Sequence, residues 1–178
     1  MSDDLRYPVG RFSHDGPISE ATLREWVAEI AALPARMHEA AAGLTDDYLD
    51  TPYRPGGWTL RQVIHHVPDS HLNAYIRFKW TLTEDTPTIK PYDEGAWANL
   101  GDVNALPVQA PLAFLEALHA RWVGLMRTLT DEQWDRRYYH PHDEMHVSLR
   151  MAAGTYAWHG HHHLAHLTTT IQREGWRR

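Results

Sequence analysis

The segment His159-Gly-His-His-His-Leu-Ala-His166 places five histidines in eight residues. An apolar core has little use for imidazoles, so this density points to chemistry. His159 and His163 stand four apart. On a helix both rings then share a face, one turn above the other, and can hold one metal ion between them. His162 and His166 form a second pair at the same spacing, turned about 60° from the first, and the pattern leaves that pair open too. His161 is expected to face outward. A third ligand is required, and a second cluster, His65-His66-Val-Pro-Asp-Ser-His71, lies far upstream. His66 is the candidate because it adjoins the apolar stripe of Val63 and Val67. His65 points about 100° away. His71, five residues beyond His66, is poorly aligned to share one ion with it. A lone histidine on an apolar face is ordinarily a hydrogen-bonded core residue. The helical pair together with a distant histidine cluster turns the reading toward a metal.

Three neutral imidazoles leave a divalent ion its full charge and open coordination positions. Such an ion lowers the pKa of a bound water to about 7, and it deprotonates a bound thiol outright. Metal-bound water or thiolate would be the catalytic group, and the ligands alone do not choose between hydrolysis and thiol transfer. A non-catalytic bundle is the third reading, marked by a closed shell of four protein ligands. Imidazole suits zinc and nickel, and also copper and iron; zinc and nickel are the expected ions. Around the ligands, Asp69 is one turn after His66 and could orient a histidine or bind water. Arg77, Tyr92 and Trp97 could meet an anionic or aromatic substrate, though Trp97 is more readily expected to help close the bundle, and His162 adjoins the pair. Glu132 and Glu144 could act as general bases, with nothing to place either near the ion.

The bulk numbers narrow the class. The chain has 178 residues, 43% hydrophobic and 22% charged, an ordinary globular balance with enough length for a sizeable core. Its net charge of −6 argues against a nucleic-acid partner, which needs a basic patch. There is no cysteine, so a metal must use nitrogen and oxygen ligands, and thiol chemistry must take its sulfur from a substrate. The N-terminus carries no apolar signal region, and no stretch approaches the roughly 18 apolar residues of a membrane span. The expectation is a cytoplasmic protein acting on a small molecule.

Four long helices must position these residues. The first runs from an N-cap at Ser19 to Ala42, with Gly43 as its stop, and Pro34 is expected to kink or split it. The second starts at Thr59, where Thr59 and Gln62 form a capping box, and contains Pro68, which frees the Ile64 carbonyl. The third has Pro111 in its first turn and continues through Leu129. A short helix headed by a Thr130/Gln133 capping box reaches about Arg136. The fourth begins after Ser148 and ends at Gly175. Residues 84–110 read as irregular, and residues 137–147 as a turn or small hairpin. The fold class is all-α, a four-helix bundle with elaborated loops.

These residues also carry a family likeness. Gly56-Gly-Trp-Thr-Leu-Arg-Gln-Val-Ile-His-His66 and the chain on to Lys79 resemble the YfiT-like branch of the DinB superfamily. So do Tyr7-Pro-Val-Gly10, Asp50-Thr-Pro-Tyr-Arg54, Pro91-Tyr-Asp-Glu94 and Trp158-His-Gly-His-His-His-Leu-Ala-His166, in the same order, from about Tyr7 to Trp176. The resemblance implies a single DinB-like bundle domain over residues 1–178, commonly a homodimer. It implies one divalent metal held by three histidines, whose positions match His66, His159 and His163. It implies a metal-dependent hydrolase or a thiol S-transferase that uses bacillithiol. A low-molecular-weight-thiol S-transferase in detoxification is the leading expectation. Hydrolysis of a small amide or ester, and a non-catalytic metal-binding bundle, are the alternatives. Pro68 departs from the family's pattern beside His66.

Overall fold

The computed structural model describes residues 5–176. Its long helices are α1 (Glu20–Ala41), α3 (Leu60–Thr83), α6 (Gln109–Met126) and α8 (Leu149–Glu174). Short helices α2 (Asp46–Leu49), α4 (Glu94–Trp97), α5 (Asp102–Ala105) and α7 (Asp131–Asp135) lie in the connections. Strands β1 (Arg137–His140) and β2 (Met145–Ser148) pair antiparallel, with Arg137 opposite Ser148 and His140 opposite Met145.

The helix ends follow local chemistry. Ser19, Thr59, Thr130 and Ser148 each accept a hydrogen bond from the backbone N–H three residues on. Gln62 and Gln133 return the bond to complete two capping boxes, satisfying donors that a helix start leaves orphaned. Gly175 ends α8 at φ 67°, a left-handed conformation that glycine adopts without steric cost. Three expectations need correction. Of the kink or split expected at Pro34, the split is absent: α1 runs unbroken across it. The third helix stops at Met126 rather than Leu129. Residues 84–110 hold α4 and α5 instead of being wholly irregular.

The four long helices pack as a ring, α1 on α6, α6 on α3, α3 on α8 and α8 on α1. Helices α1 and α3 are therefore diagonal, as are α6 and α8, and the links between diagonal partners carry α2 and α7 with the hairpin. Arg61 on α3, nearly buried, bonds Asp50 at 2.7 Å and Asp46 at 2.8 Å, tying down the link through α2. Arg150 on α8 does the same for α7 through Asp135 and Asp131. The core is divided. One apolar cluster gathers Ile30, Phe78, Trp122 and Leu149; the other gathers Met37, Ile64, Leu115 and Leu167. On every long helix the boundary falls at the same level. Ile30 gives way to Leu33 on α1, Ala74 to Val67 on α3, Trp122 to Leu115 on α6 and Ala157 to Leu167 on α8. His71, His119, His159 and His163 occupy that boundary. Burying polar groups there demands that each find a partner.

Candidate metal centre

His66 comes from α3, and His159 and His163 come from successive turns of α8. One ring nitrogen from each lies within 4.8 Å of the others. The Nε2 atoms of His66 and His159 are 3.2 Å apart. Two nitrogens on a tetrahedral ion at a metal–nitrogen distance of 2.0–2.1 Å would be separated by about 3.3 Å. One buried and one half-buried imidazole aim ring nitrogens at one point with the separation a metal imposes.

The electrostatics favour the same use. Burial in the bundle holds His66 down to about pKa 4 and keeps His159 and His163 well below the ordinary histidine value. Neighbouring imidazoles push in the same direction. All three are thus neutral at physiological pH, the form that binds metal. The donor set fits a divalent first-row ion: three neutral nitrogens, no sulfur, and room for further ligands.

Packing fixes these rings. The Trp58 ring lies 4.7 Å from His66 and 6.4 Å from His163, centroid to centroid. Gly160, between the two α8 ligands, faces Leu33 of α1 so closely that an added Cβ would lie 2.5 Å from Leu33 Cδ2. That missing side chain lets α8 approach α1 beside the site. His159 Nδ1 is 3.0 Å from His71 Nε2, and His163 Nδ1 is 3.3 Å from His166 Nδ1. The Ser70 hydroxyl lies 3.4 Å from His159 Nε2.

The three rings open into a cleft of about 920 Å³, in the range of small-molecule sites. Arg6, Arg54 and Arg77 line it against the carboxylates of Asp93 and Glu94. Tyr92 and Tyr156 also line it, their phenols kept protonated by burial, which raises both pKa values. Arg77 donates to the Tyr156 hydroxyl at 3.1 Å.

The other sequence-selected residues divide. Arg77, Tyr92 and His162 line the cleft, whereas Asp69 and Trp97 do not. Burial and the nearby Asp102 raise the Asp69 carboxyl to about pKa 6. Trp97 packs on Tyr92 and is 38% exposed, so it supports the wall from outside. Glu132 and Glu144 are exposed and lie off the cleft. His161 is exposed, and His162, His163 and His166 form a second group with nitrogens within 4.8 Å. Sequence reasoning missed Ser70 and His119 and set His71 aside. His119 stands alone among Leu115, Leu118 and Trp122, where it has the pattern of an ordinary core histidine.

Residues 29–167 match the DinB superfamily. The chain belongs to that superfamily. A relative from Bacillus subtilis (strain 168), YfiT, is named as a candidate metal-dependent hydrolase and is 48% identical over 98% of each chain. A relative from Bacillus cereus (strain AH820), named in the same way, is 51% identical over 98% of this chain and 99% of its own. The solved structure of Bacillus subtilis YfiT, described as having an unusual four-helix bundle topology, superposes with a TM-score of 0.95 over 98% of this chain and 99% of that one. A mycothiol-dependent maleylpyruvate isomerase shares the fold at a TM-score of 0.60 and 16% identity, covering 79% of this chain and 60% of its own. No helix among the described residues is long and apolar enough to cross a membrane.

Proposed function

We propose that this DinB protein is a metal-dependent enzyme in which His66, His159 and His163 hold one zinc or nickel ion, and that it transfers a low-molecular-weight thiol to an electrophile. The observation that carries the proposal is the convergence of three neutral imidazoles at the base of a cleft lined by three arginines. A divalent ion there supplies a Lewis acid that can activate a thiol or a water. The protein's own residues do the rest. Arg54 and Arg77 present positive charge to an anionic cosubstrate, and low-molecular-weight thiols commonly carry carboxylates. Ser70 Oγ, beside His159 Nε2, is placed to hydrogen-bond a group bound at the convergence point. Tyr92, Tyr156 and Trp58 offer aromatic surface to an apolar electrophile. The absence of cysteine accords with sulfur arriving on the substrate.

The test is elemental analysis of untagged protein, followed by reloading and a screen of bacillithiol and other cellular thiols against a halogenated aromatic electrophile. Conjugation that disappears on chelation and returns with metal supports the proposal; metal-loaded protein that conjugates none of the thiols refutes it. Hydrolysis of a small amide or ester is the second reading, favoured by the names of the Bacillus relatives. It expects turnover of a chromogenic ester that chelation abolishes.

A further inference from the structure

The four histidines at the core boundary, with His166, form two chains of imidazoles, each ending on a main-chain carbonyl. The first runs from His159 Nδ1 to His71 Nε2 at 3.0 Å, and from His71 Nδ1 to His119 Nε2 at 2.8 Å. It ends with His119 Nδ1 on the Ile30 carbonyl at 2.6 Å. His71, His119 and His166 are at most 2% exposed. The Ile30 carbonyl is available because residue 34 is proline. Its usual helical partner would be the N–H of that residue, which proline lacks. Pro34 therefore has a use that its position in an unbroken helix does not reveal.

A carbonyl oxygen can only accept. His119 must then carry its proton on Nδ1 and, being neutral, accept at Nε2. His71 must donate from Nδ1 and accept at Nε2, so His159 must donate from Nδ1. One lone pair of His159 remains, on Nε2, the atom facing His66. The second chain gives the same result. His166 Nε2 meets the Arg6 carbonyl at 3.2 Å, so His166 accepts at Nδ1 from His163 Nδ1 at 3.3 Å. The remaining lone pair of His163 is on Nε2.

We propose that His71 with His119, and His166, are positioning residues that set the tautomers of His159 and His163, so that both present Nε2 lone pairs to the metal. This rests on the metal reading of the site. It also settles the use of the second histidine group. His163 Nδ1 is a donor to His166, and His166 is committed to His163 and the Arg6 carbonyl, so the group of His162, His163 and His166 does not hold a second ion. Histidine ligands commonly donate their other N–H to an outer group, and loss of that group weakens metal binding about 10- to 100-fold.

The test begins with ¹⁵N-labelled wild-type protein stripped of metal, whose imidazole tautomers are read by long-range ¹H–¹⁵N correlation at neutral pH. His71, His119, His159 and His163 should be Nδ1–H, and His166 should be Nε2–H. Either ligand found as Nε2–H overturns the inference. Zinc affinity is then measured by chelator competition for H119L and H119Q. Leucine removes the acceptor, lets His71 turn its proton toward His159, and should weaken zinc binding by about 10- to 100-fold. Glutamine can accept from His71 and donate to the Ile30 carbonyl, and should restore most of the loss. Equal affinity in wild type and H119L, or equal losses in H119L and H119Q, overturns the relay. If H119L does not fold, the wild-type tautomers still decide. Wild-type protein with these tautomers but no zinc binding would sink the metal reading and leave the hydrogen-bond chains intact.

Discussion

Acid should unfold the metal-free protein well before carboxylate titration would. His119 shows why. It is 2% exposed, and burial holds its pKa near 4 against 6.5 in the unfolded chain, despite its bond to the Ile30 carbonyl. As pH falls below 6.5 the unfolded chain takes up the proton first, so acid draws the equilibrium toward unfolding. The native state is penalised increasingly until pH reaches about 4, where folded His119 also protonates. A depression of about 2.5 units corresponds to about 3.4 kcal/mol for this one side chain. Total stability for such a domain is about 5–15 kcal/mol. His65, His66, His71, His140, His159, His162, His163 and His166 are lowered in the same direction, burial being the first cause for each. Asp69 opposes them. Its folded pKa of about 6 lies above 3.8, so the native state gains its proton first, and it cancels at most one histidine. Urea unfolding in chelator, from pH 9 to 4, should show stability levelling off above about pH 8, where the unfolded histidines are nearly all neutral. Below 6.5 stability should fall by more than about 1.4 kcal/mol per pH unit, which is the limit for one proton. In H119Q the drop from pH 6.5 to 4 should be about 3 kcal/mol smaller. A stability that stays level or rises between pH 6.5 and 4.5, or an H119Q curve parallel to wild type, would refute the reasoning.

Three further outcomes are expected. Replacing His66 by alanine should reduce bound zinc from one ion per chain to near zero by elemental analysis, while far-UV circular dichroism keeps its helical signal. Stripping zinc from wild type should lower the melting temperature by an amount equivalent to about 4 kcal/mol when free metal had been held at about 1,000 times its Kd; a zinc-independent melting temperature would contradict a native-state site. Substituting Gly160 by alanine should cost about 1–3 kcal/mol in urea unfolding, because the new methyl meets buried Leu33, and wild-type stability would show that Leu33 can move aside.

Much of the local structure could be read from the chain. The two threonine–glutamine capping boxes, the serine caps and Gly175 set helix ends through bonds that span three or four residues, and those bonds need no distant partner. The spacing of His159 and His163 put both on one face of α8, and the stripe of Val63 and Val67 put His66 near the core, because a helix converts spacing into direction. Pro34 was harder. Its effect on its own helix suggested a break, but its effect on the Ile30 carbonyl is visible only when His119 arrives from α6. His71 looked unsuitable because it cannot share an ion with His66, yet it contacts the other side of His159. His119 had no motif at all. Periodicity fixes which way a residue faces on its own helix. The offset and rotation of one helix against another come from packing, here from the diagonal ring of four helices and the close approach at Gly160. That packing alone decided that Nε2 atoms from α3 and α8 meet at 3.2 Å and that the outer nitrogens of the two α8 ligands end, through other histidines, on two backbone carbonyls.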